Sequence, residues 1–360
     1  MSALAIPAAP YWLEYGEQTE SAYPSVHVAR GVTFDEIWQL FRDSGFLYPE
    51  KIARLEPVLP EIRRSVRALL DANGHLGATI AVRHGDALDA QVSVLRWPSR
   101  TWCVQHLAAR PLSARALYAS AQVTLAMTRY MLVRRDVEYV KICFRPDNAW
   151  PARVFGDFAR QVEDGVTSTL RVFHYLVAPP VLAAVPEEFR VRHASSAADF
   201  EMVERWFADR GRRLEASANE YEAWRGGRAA FAGEYFAAGL ERRRETLIAE
   251  RNGAPAGFAL LEMGSPGLNF SELTNAFTVH PLGDDDDAAR HALAVAARNR
   301  YTETGRLQCI ALEDSERLAA FAAAGFEAVK QYCFWTFHRS QIEPLEQYFL
   351  NLFSSRRRRR

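Results

Sequence analysis

Between residues 245 and 337 the apolar periodicity changes in a set order, and that order limits the available folds more than any other feature of the chain. Residues 246–250 and 256–262 read as the two strands of a hairpin across Asn252-Gly253, a dipeptide that accepts the positive φ angles of a two-residue turn. Residues 273–280 read as a strand, and 285–301 as a helix whose acidic first turn suits a helix N-terminus. Residues 307–312 read as a strand, 315–324 as a helix closed by Gly325, and 329–337 as a last strand. Strands interleaved with helices in this way place the segment in the α/β (α+β) class, with a mixed central sheet flanked by helices.

Upstream, residues 189–193 read as a strand, 196–208 as a helix with Phe200, Val203, Trp206 and Phe207 on one face, and 216–242 as a longer helical region. The first half of the chain runs through a similar order. Thr33 and Glu36 form a capping box ahead of a helix with Phe34, Ile37, Trp38 and Phe41 at 3/4 spacing. Strands follow at 77–83, 89–96 and 101–108, then a helix at 114–133, a strand at 139–145, a helix at 150–162 and a strand at 169–176. Residues 177–186 hold Pro179, Pro180 and Pro186 and read as a stiff linker. The expected organisation is an arm at 1–25, a first domain at 26–176, a linker at 177–187, a second domain at 188–338, and a terminal helix and tail at 339–360.

This repeated order resembles the GNAT acyltransferase fold twice over, so the expected architecture is two tandem GNAT-like domains. The family holds acyl-CoA pyrophosphate on a glycine-rich loop between its fourth strand and the next helix, where small residues let backbone N–H groups approach the anion. The corresponding loops here are His280-Pro281-Leu282-Gly283 running into Asp284, Asp285, Asp286 and Asp287, and His106-Leu107-Ala108-Ala109-Arg110. Four carboxylates facing two phosphates oppose binding. The resemblance leaves Val279, Gly283 and Arg110 as the cofactor-binding candidates; it firmly implies no cofactor, and acyl-CoA is the one these positions would take if any. The family's tyrosine acid falls on Phe321 in the second half, counted back from Gly325-Phe326, and on Phe155 in the first; phenylalanine transfers no proton. Asp314 stands at the family's asparagine position in the second half, and Asn148 matches it in the first. Glu262, Glu272 and His280 are the remaining candidates for acid–base work, against the plainer reading of solvated strand-end charges and a hydrogen-bonded histidine. The resemblance therefore implies a binding or regulatory module without ordinary acetyl transfer; the alternative is a divergent N-acyltransferase or aminoacyltransferase working in the second domain.

Charge divides the chain unevenly. The 44 basic and 44 acidic side chains balance, but Arg356, Arg357, Arg358, Arg359 and Arg360 hold five of the basic ones. A basic nucleic-acid-binding body is thereby excluded, and the tail becomes a separate candidate for phosphate. Arg356 and Arg360 have the R-x-x-x-R spacing and so resemble the opening of a PilZ domain, which implies cyclic di-GMP as a ligand, although the rest of such a domain is absent. Cys103, Cys143, Cys309 and Cys333 have no metal-ligand spacing and are expected to be buried reduced thiols; no metal is implied. No run is long and apolar enough for a membrane span, and the expected location is the cytoplasm.

Overall fold

The computed structural model describes residues 11–28, 31–72, 74–110, 114–221, 227–283 and 286–357. In chain order the elements are α1 (Tyr11–Ala22), β1 (Val26–Val28), α2 (Phe34–Asp43), α3 (Pro49–Leu55), α4 (Leu59–Asp71), β2 (Gly77–His84), β3 (Ala87–Arg96) and β4 (Thr101–Ala109). Next come α5 (Ala114–Val133), β5 (Tyr139–Phe144), α6 (Ala149–Pro151), a π-helical turn (Ala152–Gly156), α7 (Asp157–Gln161), β6 (Ser168–Ala178) and β7 (Phe189–His193). The chain continues with α8 (Ala197–Asp209), α9 (Arg213–Ala218), α10 (Gly227–Ala237), β8 (Arg242–Arg251), β9 (Ala254–Gly264), β10 (Ala276–Pro281) and α11 (Asp287–Glu303). It ends with β11 (Cys309–Glu313), α12 (Ala319–Ala323), β12 (Glu327–His338) and α13 (Ile342–Arg357). Two compact units result: Met1–Ile142 with Phe337–Arg360, and Cys143–Thr336. Among the described residues no helix is long and apolar enough to cross a membrane.

In the first unit the strands lie in the order β1-β2-β3-β4-β5, antiparallel except for β4 and β5, which pair in parallel from Thr101↔Tyr139 to Val104↔Ile142. The capping box at Thr33 and Glu36 forms as the sequence predicts: the Glu36 carboxylate accepts from the Thr33 N–H at 2.7 Å. Phe34, Ile37, Leu40 and Phe41 turn inward. The segment expected as an irregular arm instead carries α1, which packs on α5. Arg134 explains how this region is held. Fully buried, it donates to Asp136 at 2.9 and 2.7 Å, to the Tyr130 hydroxyl at 2.6 Å and to the Gly74 carbonyl at 3.0 Å. Its guanidinium lies 3.9 Å from the Trp102 ring centroid and 5.1 Å from that of Tyr15 on α1.

The second unit orders its strands β12-β6-β11-β10-β9-β8-β7. The β8–β9 hairpin turns at Asn252 (φ 54°) and Gly253 (φ 77°), as that dipeptide predicts. One sheet face, with Leu176, Ala249, Ala259, Leu261, Phe277 and Val279, packs on α11, whose Ala289, Ala292 and Leu293 are fully buried. The other carries Ile248, Phe258 and Leu260 beneath Val203, Trp206 and Phe207 of α8, and further along Phe173, Tyr175, Ile310 and Leu312. The longer helical region expected at 216–242 holds the end of α9 and a separate α10, and its last residue, Arg242, already opens β8.

The two units divide the chain differently from its sequence order. Helix α7, β6 and the proline-rich stretch at 177–186 all fall in the second unit. Strand β6 lies between β12 and β11, pairing with β11 from His174↔Glu313 to Ala178↔Cys309. The physical reason is in its side chains: β6 lends Leu176 and Ala178 to one core and Phe173 and Tyr175 to the other.

Candidate functional site

Strands β10 and β11 run parallel but pair only at Ala276↔Ile310 and Phe277↔Ala311. Strand β10 continues along β9 as far as Pro281↔Gly257, while β11 continues along β6 as far as Glu313↔His174. The two strands therefore part toward their carboxyl ends, which is where open α/β sheets place ligands. The Trp206 indole N–H donates to the Pro281 carbonyl at 3.0 Å, and the Leu282 N–H to the Ala256 carbonyl at 2.9 Å, so the end of β10 is pinned away from β11.

Side-chain alternation puts Arg171 with Phe173 and Tyr175, His280 with Ala276, and Asp314 with Ile310 and Leu312, on the sheet face that α8 covers. Four charges meet there. Arg212 grips Glu215 through two hydrogen bonds of 2.8 Å and reaches Asp314 at 3.0 Å. Arg171 approaches the same two carboxylates at 3.2 and 3.4 Å. Burial works against the charge of Arg212, but Glu215 and Asp314 hold its pKa above the ordinary arginine value. On the opposite face, under α11, Glu313 is buried 3.8 Å from Arg290, and burial raises its pKa.

His280 stands inside this surface rather than on it. Its ring centroid lies 4.5 Å from Trp206, 4.9 Å from Phe258 and 5.3 Å from Phe207, and its Nε2 hydrogen-bonds the Thr278 hydroxyl at 2.8 Å. Burial, then the Arg212 guanidinium, lowers its pKa well below the usual imidazole value. A neutral ring enclosed in this way packs as part of the aromatic cluster beneath α8.

The other candidates do not converge on it. Glu262 on β9 is ion-paired with the buried Arg244, its cross-strand neighbour, and its backbone carbonyl accepts from the Tyr301 hydroxyl at 2.6 Å. Phe258 faces His280 whereas Leu261 faces Phe277, so Glu262 lies toward the opposite end of β10, on the order of 13 Å from His280 at about 3.3 Å per residue. Glu272 (φ 58°) accepts from the Asn275 side-chain Nδ2 at 2.7 Å, and Asn275 Oδ1 in turn accepts from the Gly264 N–H at 2.7 Å, a clasp within one loop. Val279 is buried against α11. Gly283 accepts from the Asp286 N–H at 3.1 Å in the turn that starts α11. Of the acidic run, Asp284 and Asp285 lie outside the described residues. Asp286 caps α11 and pairs with Arg251 at 2.8 Å, and Asp287 pairs with Arg290 at 2.6 Å. Arg110, in the first unit, donates to the Leu88 carbonyl at 2.9 Å and pairs with Asp43 at 3.1 Å. Phe321, at the family's acid position, has no exposed surface and packs edge-on to Phe326. Helix α13 reaches Arg357; Arg358, Arg359 and Arg360, and the side chains of Arg356 and Arg357, lie outside the described residues.

All four cysteines are free thiols: Cys309 and Cys333 are buried, Cys103 and Cys143 only half-buried. Among the described residues no group of three or more His, Cys, Asp or Glu is placed to hold a metal ion. Sequence reading did not single out Arg171, Arg212 or Glu215. The period-two grouping of Arg171 with Phe173 and Tyr175 was visible, but nothing local placed β6 beside β11.

No protein-family model matches the chain, and no curated relative matches it. Solved structures align with most of its length at low identity, GNAT proteins among them. A GCN5-related N-acetyltransferase from Sphaerobacter thermophilus is 14% identical, with 88% of this chain and 96% of that one covered and a TM-score of 0.48. A tandem GNAT protein from the clavulanic acid biosynthesis pathway is 15% identical, with 77% and 88% covered and a TM-score of 0.42. A Drosophila protein is 15% identical, with 84% and 95% covered and a TM-score of 0.49.

Proposed function

We propose that the second unit is a GNAT-like module that binds a ligand at the parting of β10 and β11 and does not carry ordinary acetyl transfer from acetyl-CoA. The observation that carries this reading is Phe321: the position of the departing thiolate's acid is an apolar ring sealed in the core. The commitments of Glu262, Glu272 and His280 to an ion pair, a loop clasp and an aromatic cage support it. So do the carboxylates of Asp286 and Asp287 at the start of α11, where a pyrophosphate would need unopposed N–H groups.

The test is thermal unfolding of the full chain with acetyl-CoA and longer acyl-CoAs, beside a free-thiol assay for thioester turnover. Neither a saturable shift nor thiol release is expected. A stabilisation approaching the roughly 2.7 kcal/mol that mass action gives at a hundredfold excess over Kd, together with turnover, overturns the reading in favour of a divergent acyltransferase.

The arginine tail carries a regulatory part of the proposal on sequence alone: Arg356 to Arg360 would grip the phosphates of a nucleotide such as cyclic di-GMP. Titration of the full chain and of a chain lacking residues 356–360 with cyclic di-GMP decides it; equal responses remove the tail from the function.

A further inference from the structure

Across the middle of the first unit's sheet runs a row of polar side chains. Thr79 on β2 stands opposite Ser93 on β3, and Ser93 opposite Gln105 on β4. Gln91 lies two residues from Ser93 along β3, on the same face. Trp102 and Val104 alternate with Gln105, and Trp102 packs edge-on to Tyr130 of α5 at 6.5 Å, so the polar row is on the face away from α5. Gln91 has no exposed surface. Its Nε2 donates to the His106 carbonyl at 2.9 Å, where the register of β4 against β3 shifts, and its Oε1 has no hydrogen-bond partner among the described residues. Neither the Thr79 hydroxyl, on a residue 6% exposed, nor that of the half-buried Ser93 has a partner among the described residues. Ser93 and Gln105 are half-buried although they stand mid-strand in the interior of the sheet, so the row opens to solvent.

Buried polar groups in folded proteins are almost always hydrogen-bonded, and packing alone would fill these positions with apolar strand formers. Three polar groups side by side with unused hydrogen-bonding capacity, beneath a solvent opening, mark a place where a bound molecule completes the bonding. We propose that this row is a binding site for an uncharged ligand that carries an amide group, separate from the site in the second unit and independent of the reading given to that unit. Gln91 Oε1 can only accept, so the ligand must bring a donor: its amide N–H. The amide carbonyl then accepts from the Ser93 hydroxyl, with Thr79 alongside. The spacing suits a planar amide. Residues two apart on one strand are about 6.6 Å from each other, a span that two hydrogen bonds either side of an N–C=O unit cover. Gln91, Ser93 and Thr79 are all uncharged, so nothing in the row favours an ionised ligand.

The experiment follows thermal unfolding of the full chain with N-acetylglycinamide, and with N,N-dimethylacetamide, which keeps the carbonyl and lacks the N–H. Wild type, Ser93→Ala and Gln91→Met are compared. A saturable rise in Tm is expected for the wild type with N-acetylglycinamide and not with N,N-dimethylacetamide. Ser93→Ala should melt as the wild type does without ligand, since its hydroxyl has no internal bond to lose, and should need about tenfold more N-acetylglycinamide for half-saturation. Gln91→Met should show no saturable rise. The proposal is overturned by no saturable rise in the wild type, by an equal rise with N,N-dimethylacetamide, or by an unchanged half-saturation in Ser93→Ala. If Gln91→Met fails to fold, Ser93→Ala decides alone. The two readings fail separately: thiol release from acetyl-CoA overturns the reading of the second unit, and the Ser93→Ala titration overturns only the amide site.

Discussion

His280 illustrates how far a side chain's surroundings outweigh its position in a motif. In the sequence it ends a strand ahead of a helix, the place for a catalytic group; in the fold it is caged by three aromatic rings. Its pKa is pushed down by burial from 6.5, so the folded protein takes up this proton only well below that value, whereas the unfolded chain takes it up near 6.5. The unfolded state therefore binds more protons as pH falls through 6.5, and stability is lost there; above 6.5 the group adds no slope. Between pH 7.5 and 5.5 the wild type should lose about 1.4 kcal/mol more stability than His280→Gln, measured from urea midpoints. Equal losses would mean a solvent-facing imidazole and would reopen its catalytic candidacy. Glu262 gives a companion test. Removing Arg244 strands a carboxylate that is 17% exposed, so Arg244→Met should cost about 3–5 kcal/mol, and the double variant Arg244→Met with Glu262→Leu should lose less than Arg244→Met alone. Urea denaturation of both variants reads this directly, and a double variant no better than the single one would show that the pair does not act as a unit.

At the scale of single elements, what was legible in the sequence was whatever the backbone settles locally. Asn252-Gly253 predicted its hairpin and Thr33 with Glu36 its helix start, because positive φ and capping hydrogen bonds are decided within a few residues. Gly257 was not legible, because its role is a tertiary approach. A Cβ there would stand 2.9 Å from the Pro281 Cα and 3.0 Å from the His280 carbonyl oxygen, both on backbone that cannot swing aside. Gly257→Ala should therefore cost about 1–3 kcal/mol by forcing β9 and β10 apart. The disturbance should reach the end of β10, so hydrogen exchange at Val279 and Leu282 should accelerate more than at Ala276. Uniform acceleration would place the effect elsewhere. Gly325, read in the sequence as the glycine that closes a helix and opens a Gly-Phe pair, combines both constraints: φ is +82° and a Cβ would meet Arg298 Nη1 at 2.6 Å. The candidate site escaped the sequence because it is assembled from β6, α9, and the end of β11, whose proximity no local pattern encodes.

At the scale of the whole chain, a proline-rich stretch after β6 suggested a boundary near residue 177, yet β6 is built into the second unit. The reason is energetic. Phe173 and Tyr175 fill one core of that unit and Leu176 and Ala178 the other, and β6 completes the ladder of β11. Three large buried side chains at about 1.5–3 kcal/mol each come to roughly 5–9 kcal/mol of burial, a sum comparable with the roughly 5–15 kcal/mol net stability of a whole domain. A fragment cut at the apparent linker, residues 188–338, should therefore expose β11 and both cores and fail to unfold cooperatively. A fragment of residues 143–336 keeps β6, the β11 ladder and Arg171, and should give a single sigmoidal urea transition by circular dichroism and little binding of an apolar dye. The reverse outcome, a cooperative 188–338 and a molten 143–336, would mean that the proline stretch marks the folding boundary after all and that β6 is a late addition to a unit stable without it.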